Sequence, residues 1–381
     1  MEFALTEDQD AVFDMVCAFS EAEIGPYAQR WEEDGTIPRS LWPKAGDLGL
    51  GGIYVSETNG GTGLSRLDAT LIFEAMSMAC PSVSAFLSIH NMCADILATY
   101  AHSDLQNQIL NEVISLKRII SYCLTEPGSG SDAAALATRA ERTDGGYILN
   151  GTKAFISGAS YSDGYIVMVR TGQEGAKGIS AIFVDKDAKG ISFGALERKM
   201  GWQAQPTAQV QFDNCFVPSE HLIGVENQGF HYAMAGLDGG RLNIAACSLG
   251  AAQAAMNKTI DYMQERKAFG KSLDQFESLQ FRLADLEIDL QAARVFLRQA
   301  AWKFDQQEPD ASKHCAMAKK FVTEIGSKVV DQCLQLHGGY GYLTDYGIEK
   351  LVRDLRVHQI LEGTNEIMRI ITARHLLSNQ Q

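Results

Sequence analysis

IISYCLTEPGSGSDAAALATRAERTDGGYILNGTKAFISG, residues Ile119–Gly158, is the stretch in which the hydrophobic period of the chain changes from helical to two. Its ends, IISYCL and GYILNGTKAFISG, read as strands, and the turn signal Asp144-Gly145-Gly146 leads into the second. GYIVMVRT from Gly164, ISAIFVDKD from Ile179, ISFGAL from Ile191 and AQVQFDNCFV from Ala208 continue the pattern. An all-β unit is therefore expected over 119–230. Upstream, Thr6 and Gln9 are spaced as a capping box before an apolar face of Val12, Met15, Val16 and Phe19, and Gly25-Pro26 ends that helix. A Gly-rich stretch from Gly46 to Gly63 follows, and Asp68 to Tyr100 reads as one long, mostly apolar helix. Downstream of about Gly229, Leu279, Leu283, Leu286, Leu290 and Leu297 form one stripe and Val322, Ile325, Val329, Cys333 and Leu336 another, each long enough for a bundle helix. The plan is α+β: a helical unit over 1–118, the β unit, and a helical bundle over 231–381.

A chain of 381 residues with 46% hydrophobic content can bury a large core. The formal net charge of −14 argues against nucleic acid or an anionic membrane as main partner, since both reward basic surfaces. Phosphate groups would have to be held locally, by single Arg residues, helix N-termini and Gly-rich backbone. Eight scattered cysteines without a CxxC pair, and no His at ligand spacing, read as small buried hydrophobes in a reducing compartment, with no metal site. The acidic, amphipathic N-terminus is neither a signal nor an Arg-rich transit peptide, and no apolar run approaches membrane-spanning length. A cytoplasmic protein is expected, or one of the mitochondrial matrix if a presequence has been removed.

Gly128-Ser129-Gly130-Ser131-Asp132-Ala133 matches the relaxed dinucleotide pattern GxGxxA and follows a strand-like run. That motif needs a long crossover helix and a second parallel strand, with an acidic residue about 20 positions on. Here the Ala-rich stretch is short and runs through a turn into an alternating strand, so a Rossmann reading is refused. The loop reads as hydroxyls and backbone N–H donors offered to a phosphate or ring edge, or as a plain Gly-Ser turn.

Four ordered motifs carry a resemblance over nearly the whole chain. They are Tyr122-Cys123-Leu124-Thr125-Glu126-Pro127-Gly128-Ser129-Gly130-Ser131-Asp132, Lys153-Ala154-Phe155-Ile156-Ser157, Arg266-Lys267-Ala268-Phe269-Gly270, and the pair Gln335-Leu336-His337-Gly338-Gly339-Tyr340-Gly341 with Ile360-Leu361-Glu362-Gly363-Thr364-Asn365-Glu366. The chain resembles the acyl-CoA dehydrogenases. The resemblance implies an N-terminal α-helical domain, a β-barrel-like middle domain and a C-terminal four-helix bundle, with noncovalent FAD, an acyl-CoA substrate, a homotetramer, and electron-transfer flavoprotein as electron acceptor. The wording from His358 to Arg369 is similar to that of the isobutyryl-CoA dehydrogenases of valine breakdown; short, straight-chain and 2-methyl-branched relatives share much of it.

Removing an α proton beside a thioester needs a base at that carbon, donors on the carbonyl oxygen, and an acceptor for the β hydride, which a flavin supplies. Burial raises a carboxylate toward the required basicity. Glu362 suits the task, because Gly363 lets ligand and backbone approach closely; on its own it would read as a carboxylate favouring a helix N-terminus. The family places its base either at the Glu-Gly position or just before the Arg of an Asp-x-x-Arg segment. The second position is Gly240 in Asp238-Gly239-Gly240-Arg241, which cannot abstract a proton.

The resemblance further implies that Asp238 and Arg241 face the coenzyme A side, though an i, i+3 ion pair is the plain alternative. It places Tyr122, Cys123, Leu124, Thr125, Gly130 and Ser131, with Phe155, Ile156 and Ser157, along the flavin, with Ser131 also meeting the pantetheine. Phe155 stands where the family commonly has Trp. Arg266, Phe276, Gln335, Gly338 and Gly339 would grip the ADP portion of FAD across a subunit boundary, Gly338-Gly339 also reading as a helix C-cap. Thr364, Asn365 and Glu366 would lie at the FAD phosphates at a helix start. Glu362 and Gly363 would meet the thioester. Arg374, in register with the apolar Ile367, Ile370 and Ile371, needs a partner that the ligand could provide. An acyl-CoA oxidase would use the same base and flavin, and a flavin-free acyl-CoA-binding or assembly protein would keep only the fold.

Overall fold

The computed structural model describes residues 4–378. Thr6 caps the first helix as its spacing predicts: its hydroxyl accepts from the Gln9 N–H and the Gln9 side chain accepts from the Thr6 N–H, each at 3.2 Å. That helix, α1 (Glu7–Glu23), is followed by α2 (Ala28–Asp34), α3 (Leu41–Asp47), α4 (Arg66–Ala79), α5 (Pro81–Tyr100) and α6 (Ser103–Ile114). The single long helix expected from Asp68 to Tyr100 is therefore two. Pro81 forces Cys80 into an extended conformation (φ −159°, ψ 110°) and then starts α5, where its missing N–H costs no hydrogen bond.

The strands are β1 (Ile120–Cys123), β2 (Arg139–Thr143), β3 (Gly146–Ser157), β4 (Gly164–Arg170), β5 (Ile179–Asp185), β6 (Ile191–Phe193), β7 (Thr207–Pro218) and β8 (Leu222–Ile223). They form one sheet in the order β6-β7-β3-β2-β4-β5-β8, with β1 parallel to β4. The sheet curls around Cys123, Tyr147, Leu149, Val167 and Val210, while Ile166, Met168 and Phe183 on its other face pack against Ile96, Leu105 and Ile109 of α5 and α6. β4 is buried along its whole length, which explains its near-continuous apolar run.

The third segment holds α7 (Gly229–Glu265), the short hairpin β9 (Lys267–Ala268) and β10 (Lys271–Ser272), then α8 (Glu277–Asp305), α9 (Ala311–Leu336), α10 (Ile348–Arg356) and α11 (Asn365–Ser378). α7 threads the middle of the molecule, and at Gly250 a Cβ would collide with the Glu74 carbonyl of α4, so only glycine allows this close crossing. Leu286, Leu290 and Leu297 of α8 and Val322, Val329, Cys333 and Leu336 of α9 are buried as their spacing predicts. All eight cysteines are unpaired, Cys17 half-buried and the rest buried. Among the described residues no helix is long and apolar enough to cross a membrane, and no cluster of metal-ligating side chains occurs.

Candidate active site

Glu362 sits in the turn between α10 and α11 with φ +52°, and Gly363 follows at φ +89°. A non-glycine residue held there costs about 1–3 kcal/mol and persists only where the surroundings enforce it. Thr364 closes the turn by capping α11, its hydroxyl accepting from the Ile367 N–H at 3.3 Å. Glu362 keeps some surface exposure, yet its Oε2 is sealed from solvent and has no hydrogen-bond partner. Burial raises the carboxyl to about 7, against the lowering pull of Lys319 and then Arg241. Gly240 of α7 lies directly beneath it, where a Cβ would come within 2.5 Å of Oε2. Any side chain at this position would displace the carboxylate. Arg241 is buried, ion-pairs with Asp238, and points its Nε at the Glu362 carbonyl at 3.5 Å. The i, i+3 ion pair of this segment is therefore present, and it lies beside Glu362.

Lys319 of α9 was not legible as a site residue. It is buried, and its ammonium donates to the Gly363 carbonyl at 2.7 Å and to Asn365 Oδ1 at 3.1 Å. Tyr122 at β1 has a buried, unpartnered hydroxyl, pushed up by burial and by the charges around it, Glu362 among them.

The Thr125–Ser131 loop is fixed from below. Buried Glu126 accepts from the Ala137 and Thr138 N–H groups at 2.6 and 2.9 Å and from Lys153 Nζ at 2.7 Å, while the same ammonium donates to the Leu124 carbonyl at 3.0 Å. Above this anchor Gly128, Gly130 and Ser131 are exposed, and nothing lies where a Cβ of either glycine would stand. β3 breaks register between Lys153 and Ile156, and in that bulge Phe155 adopts φ +58° and stands 68% exposed. Ser157 donates to Gln205 Oε1 at 2.9 Å, and Gln205 Nε2 is buried without an acceptor. The Cys123 and Ile156 side chains point into the β core, so only their main chain faces the surface. Alternation along a strand makes that unavoidable for the neighbours of Tyr122 and Phe155.

A second group gathers elsewhere. Exposed Arg266 places its guanidinium 5.2 Å from the Tyr340 ring centre, Phe276 lies 6.3 Å from the exposed Phe269 ring, and Gln335, Gly338 and Gly339 are exposed at the end of α9. Gly338 has φ +59°, the left-handed helix terminus expected of a C-cap. Lys319 and Gln335 lie about 24 Å apart along α9, at about 1.5 Å rise per residue. One chain therefore does not bring this group beside Glu362.

On α11 two expectations change. The Asn365 side chain is buried and occupied by Lys319 and Thr323, and exposed Glu366 pairs with Arg369 at 3.0 Å, so neither side chain is free for an anion. Arg374 is exposed, because α11 turns Asn365 and Met368 inward and leaves Ile370 43% exposed. It is not a lone buried cation and needs no ligand as partner.

A carboxyl raised to about 7 by burial, with an unpartnered Oε2 and the unpartnered Tyr122 hydroxyl near it, is equipped to take a proton from a bound substrate. Comparison with known proteins gives that equipment a family. The N-terminal, middle and C-terminal domain profiles of acyl-CoA dehydrogenase match residues 6–117, 121–215 and 227–377. The mitochondrial isobutyryl-CoA dehydrogenase of Dictyostelium discoideum is 49% identical over 98% of this chain and 90% of its own length, and that of Bos taurus 47% identical with the same coverage. The structure of butyryl-CoA dehydrogenase from Megasphaera elsdenii superposes with TM-score 0.95 at 32% identity, covering 99% of this chain and all of the other. The chain belongs to the acyl-CoA dehydrogenase family and is an FAD-dependent oxidoreductase of acyl-CoA thioesters.

Proposed function

We propose that this enzyme oxidises isobutyryl-CoA to methacrylyl-CoA, with Glu362 taking the α proton, at the junction of units 1–118, 119–230 and 231–381. The observation that carries the role of Glu362 is its sealed, unpartnered Oε2 above Gly240. A carboxyl near 7 is ionised enough to accept a proton and basic enough to hold it. The Glu362 N–H, which no carbonyl accepts among the described residues, is free to donate to the thioester oxygen as enolate charge grows. Asp238 and Arg241 flank Gly240 in the same turn of α7 and would face the coenzyme A portion. The residues present fit FAD: exposed Phe155 offers an aromatic face, the Gly128–Ser131 loop offers open backbone, and Gln205 Nε2 lacks an acceptor. Tyr122–Ser131, Phe155–Ser157 and Thr364 of one subunit would hold it together with Arg266, Phe276, Gln335, Gly338 and Gly339 of another. When bound, FAD supplies the acceptor for the hydride leaving Cβ.

The isobutyryl assignment is supported by the two relatives near half identity that carry that name. In a panel of isobutyryl-, butyryl-, 2-methylbutyryl-, isovaleryl- and octanoyl-CoA with a dye acceptor, isobutyryl-CoA gives the highest kcat/KM. Butyryl-CoA trails modestly, because one methylene is worth only about 1–3 kcal/mol. A higher value for butyryl- or octanoyl-CoA ends the assignment and leaves the family untouched. Electrons pass to electron-transfer flavoprotein; peroxide release under air would instead mark an oxidase. The compartment is aqueous, cytoplasm or mitochondrial matrix.

We take the assembly to be a homotetramer; association between copies is supported by α8, where Phe281, Ile288, Val295 and Trp302 stand 65, 65, 49 and 40% exposed at heptad spacing. Arg266→Ala is expected to weaken FAD binding and loosen the assembly together, because the guanidinium reaches a neighbour's cofactor phosphates. Unchanged FAD affinity in an intact tetramer, measured by flavin fluorescence and light scattering, contradicts it.

A further inference from the structure

The geometry points to Lys319 as the positioning residue that holds Glu362 in its working conformation and supplies the uncompensated positive charge favouring its ionised form. This rests on the reading of Glu362 as the base. Two consecutive left-handed residues, Glu362 and Gly363, need an external clamp, and the strongest contact on that turn is Lys319 Nζ on the Gly363 carbonyl at 2.7 Å. The same ammonium holds Asn365 Oδ1, and Asn365 in turn holds Thr323, one turn further along α9. The ligand-side turn is thereby tied to a rigid bundle helix.

The charges around the site separate Lys319 from its neighbours. From α7, Arg241 faces Glu362 but is neutralised by Asp238, and Cys247 faces it as a thiol held protonated by burial. From β1 comes the neutral Tyr122 phenol. Around Lys319 itself, Glu324 pairs with Lys320 and Arg369, Glu366 pairs with Arg369, and buried His358 is held neutral. Among the described residues no carboxylate lies within ion-pair distance of Lys319, so Glu362 is the anion its field acts on. Burial lowers Lys319 itself to about 8, with the Glu362 charge the first influence opposing that fall, so the ammonium persists at neutral pH.

The test compares Lys319→Met, Lys319→Gln and Lys319→Arg with Glu362→Gln, all as FAD-loaded enzyme with its best acyl-CoA. Met and Gln remove the charge and are expected to lower kcat by about 10- to 100-fold through misplacement of the carboxylate. KM and flavin content stay within about two-fold. The rising limb of kcat/KM moves to higher pH by about one unit, because the neutral acid is no longer disfavoured. Lys319→Arg restores the limb but not the full kcat. An FAD-loaded Met or Gln variant with the wild-type limb and kcat overturns the inference. Failure of both to fold also overturns it, since the lysine is then structural. If Glu362→Gln keeps its turnover, the base assignment falls whatever the lysine variants do. If Glu362→Gln is inactive while the Met profile matches wild type, only the role of Lys319 falls.

Discussion

Glu362→Gln is expected to lower turnover by about 10²- to 10⁴-fold while FAD stays bound, the usual cost of losing a general base. The amide keeps the shape of the side chain, so the turn, the clamp from Lys319 and the close approach to Gly240 are retained. Only the ability to accept a proton disappears. The pH profile makes the claim specific. With the carboxyl raised to about 7, kcat/KM of the wild type climbs as pH rises through that value, because only the ionised form accepts the α proton. In Glu362→Gln the limb is absent and the residual rate is flat across the same window. Stopped-flow bleaching of the flavin absorbance by substrate checks both. A variant that bleaches at near-normal rate, with the limb intact, would place the base elsewhere.

Lys153→Met removes one partner of a fully buried ion pair and is expected to cost about 3–5 kcal/mol of stability at neutral pH, because Glu126 is left charged and uncompensated. Burial alone would push Glu126 up, and the charge and hydrogen bond of Lys153 overrule it, holding the carboxyl below its ordinary value. In the wild type the Glu126 carboxylate contributes stability above the unfolded carboxyl value of about 4.3, and that contribution is lost as pH falls through the lower folded value, while burial outweighs the carboxylate at Lys153 and lowers that ammonium. In the variant the sign reverses: burial raises the Glu126 carboxyl, so the stability gap is larger at pH 7 than at pH 4, narrowing as pH falls through that raised value and on through the unfolded one. Denaturant unfolding at the two pH values measures it. Adding Glu126→Gln to Lys153→Met is expected to recover part of the loss, since no buried charge then remains. The functional consequence follows from position: Glu126 also anchors Ala137, Thr138 and the Thr125–Ser131 loop, so FAD affinity falls with stability. An equally stable variant at pH 7 would show that the pair contributes nothing.

The order of helices, sheet and helices was legible in Ile119–Gly158 and its flanks because periodicity is local: alternation marks β3 and β4, and the leucine stripe marks α8. The split at Cys80–Pro81 was legible in principle from Pro81, but the apolar composition on both sides masked it. Along α11, composition suggested Ile367, Ile370 and Ile371 as the inward face, while packing on α9 selected Asn365 and Met368. Helix register against a neighbour depends on the crossing, which the order of residues within one segment does not state.

Glu362 as candidate base, Gly240 as the vacant alternative and the Gly128–Ser131 loop as a turn offering N–H donors came from residue identity and motif wording. The sequence could exclude Gly240 as a base, but only packing showed that its missing side chain makes room for the Glu362 carboxylate, across 122 positions in the chain. Likewise only the packing of α9 against the α10–α11 turn delivers the Lys319 ammonium to the Gly363 carbonyl, and only the length of α9 separates Gln335 and Gly338 from Glu362. Composition and spacing determine which elements form and which groups can do chemistry, since those are properties of neighbouring residues. Burial and distance, which raise Glu362 toward neutrality and leave Lys319 as its uncompensated cation, exist only after remote segments have excluded water from the same small volume.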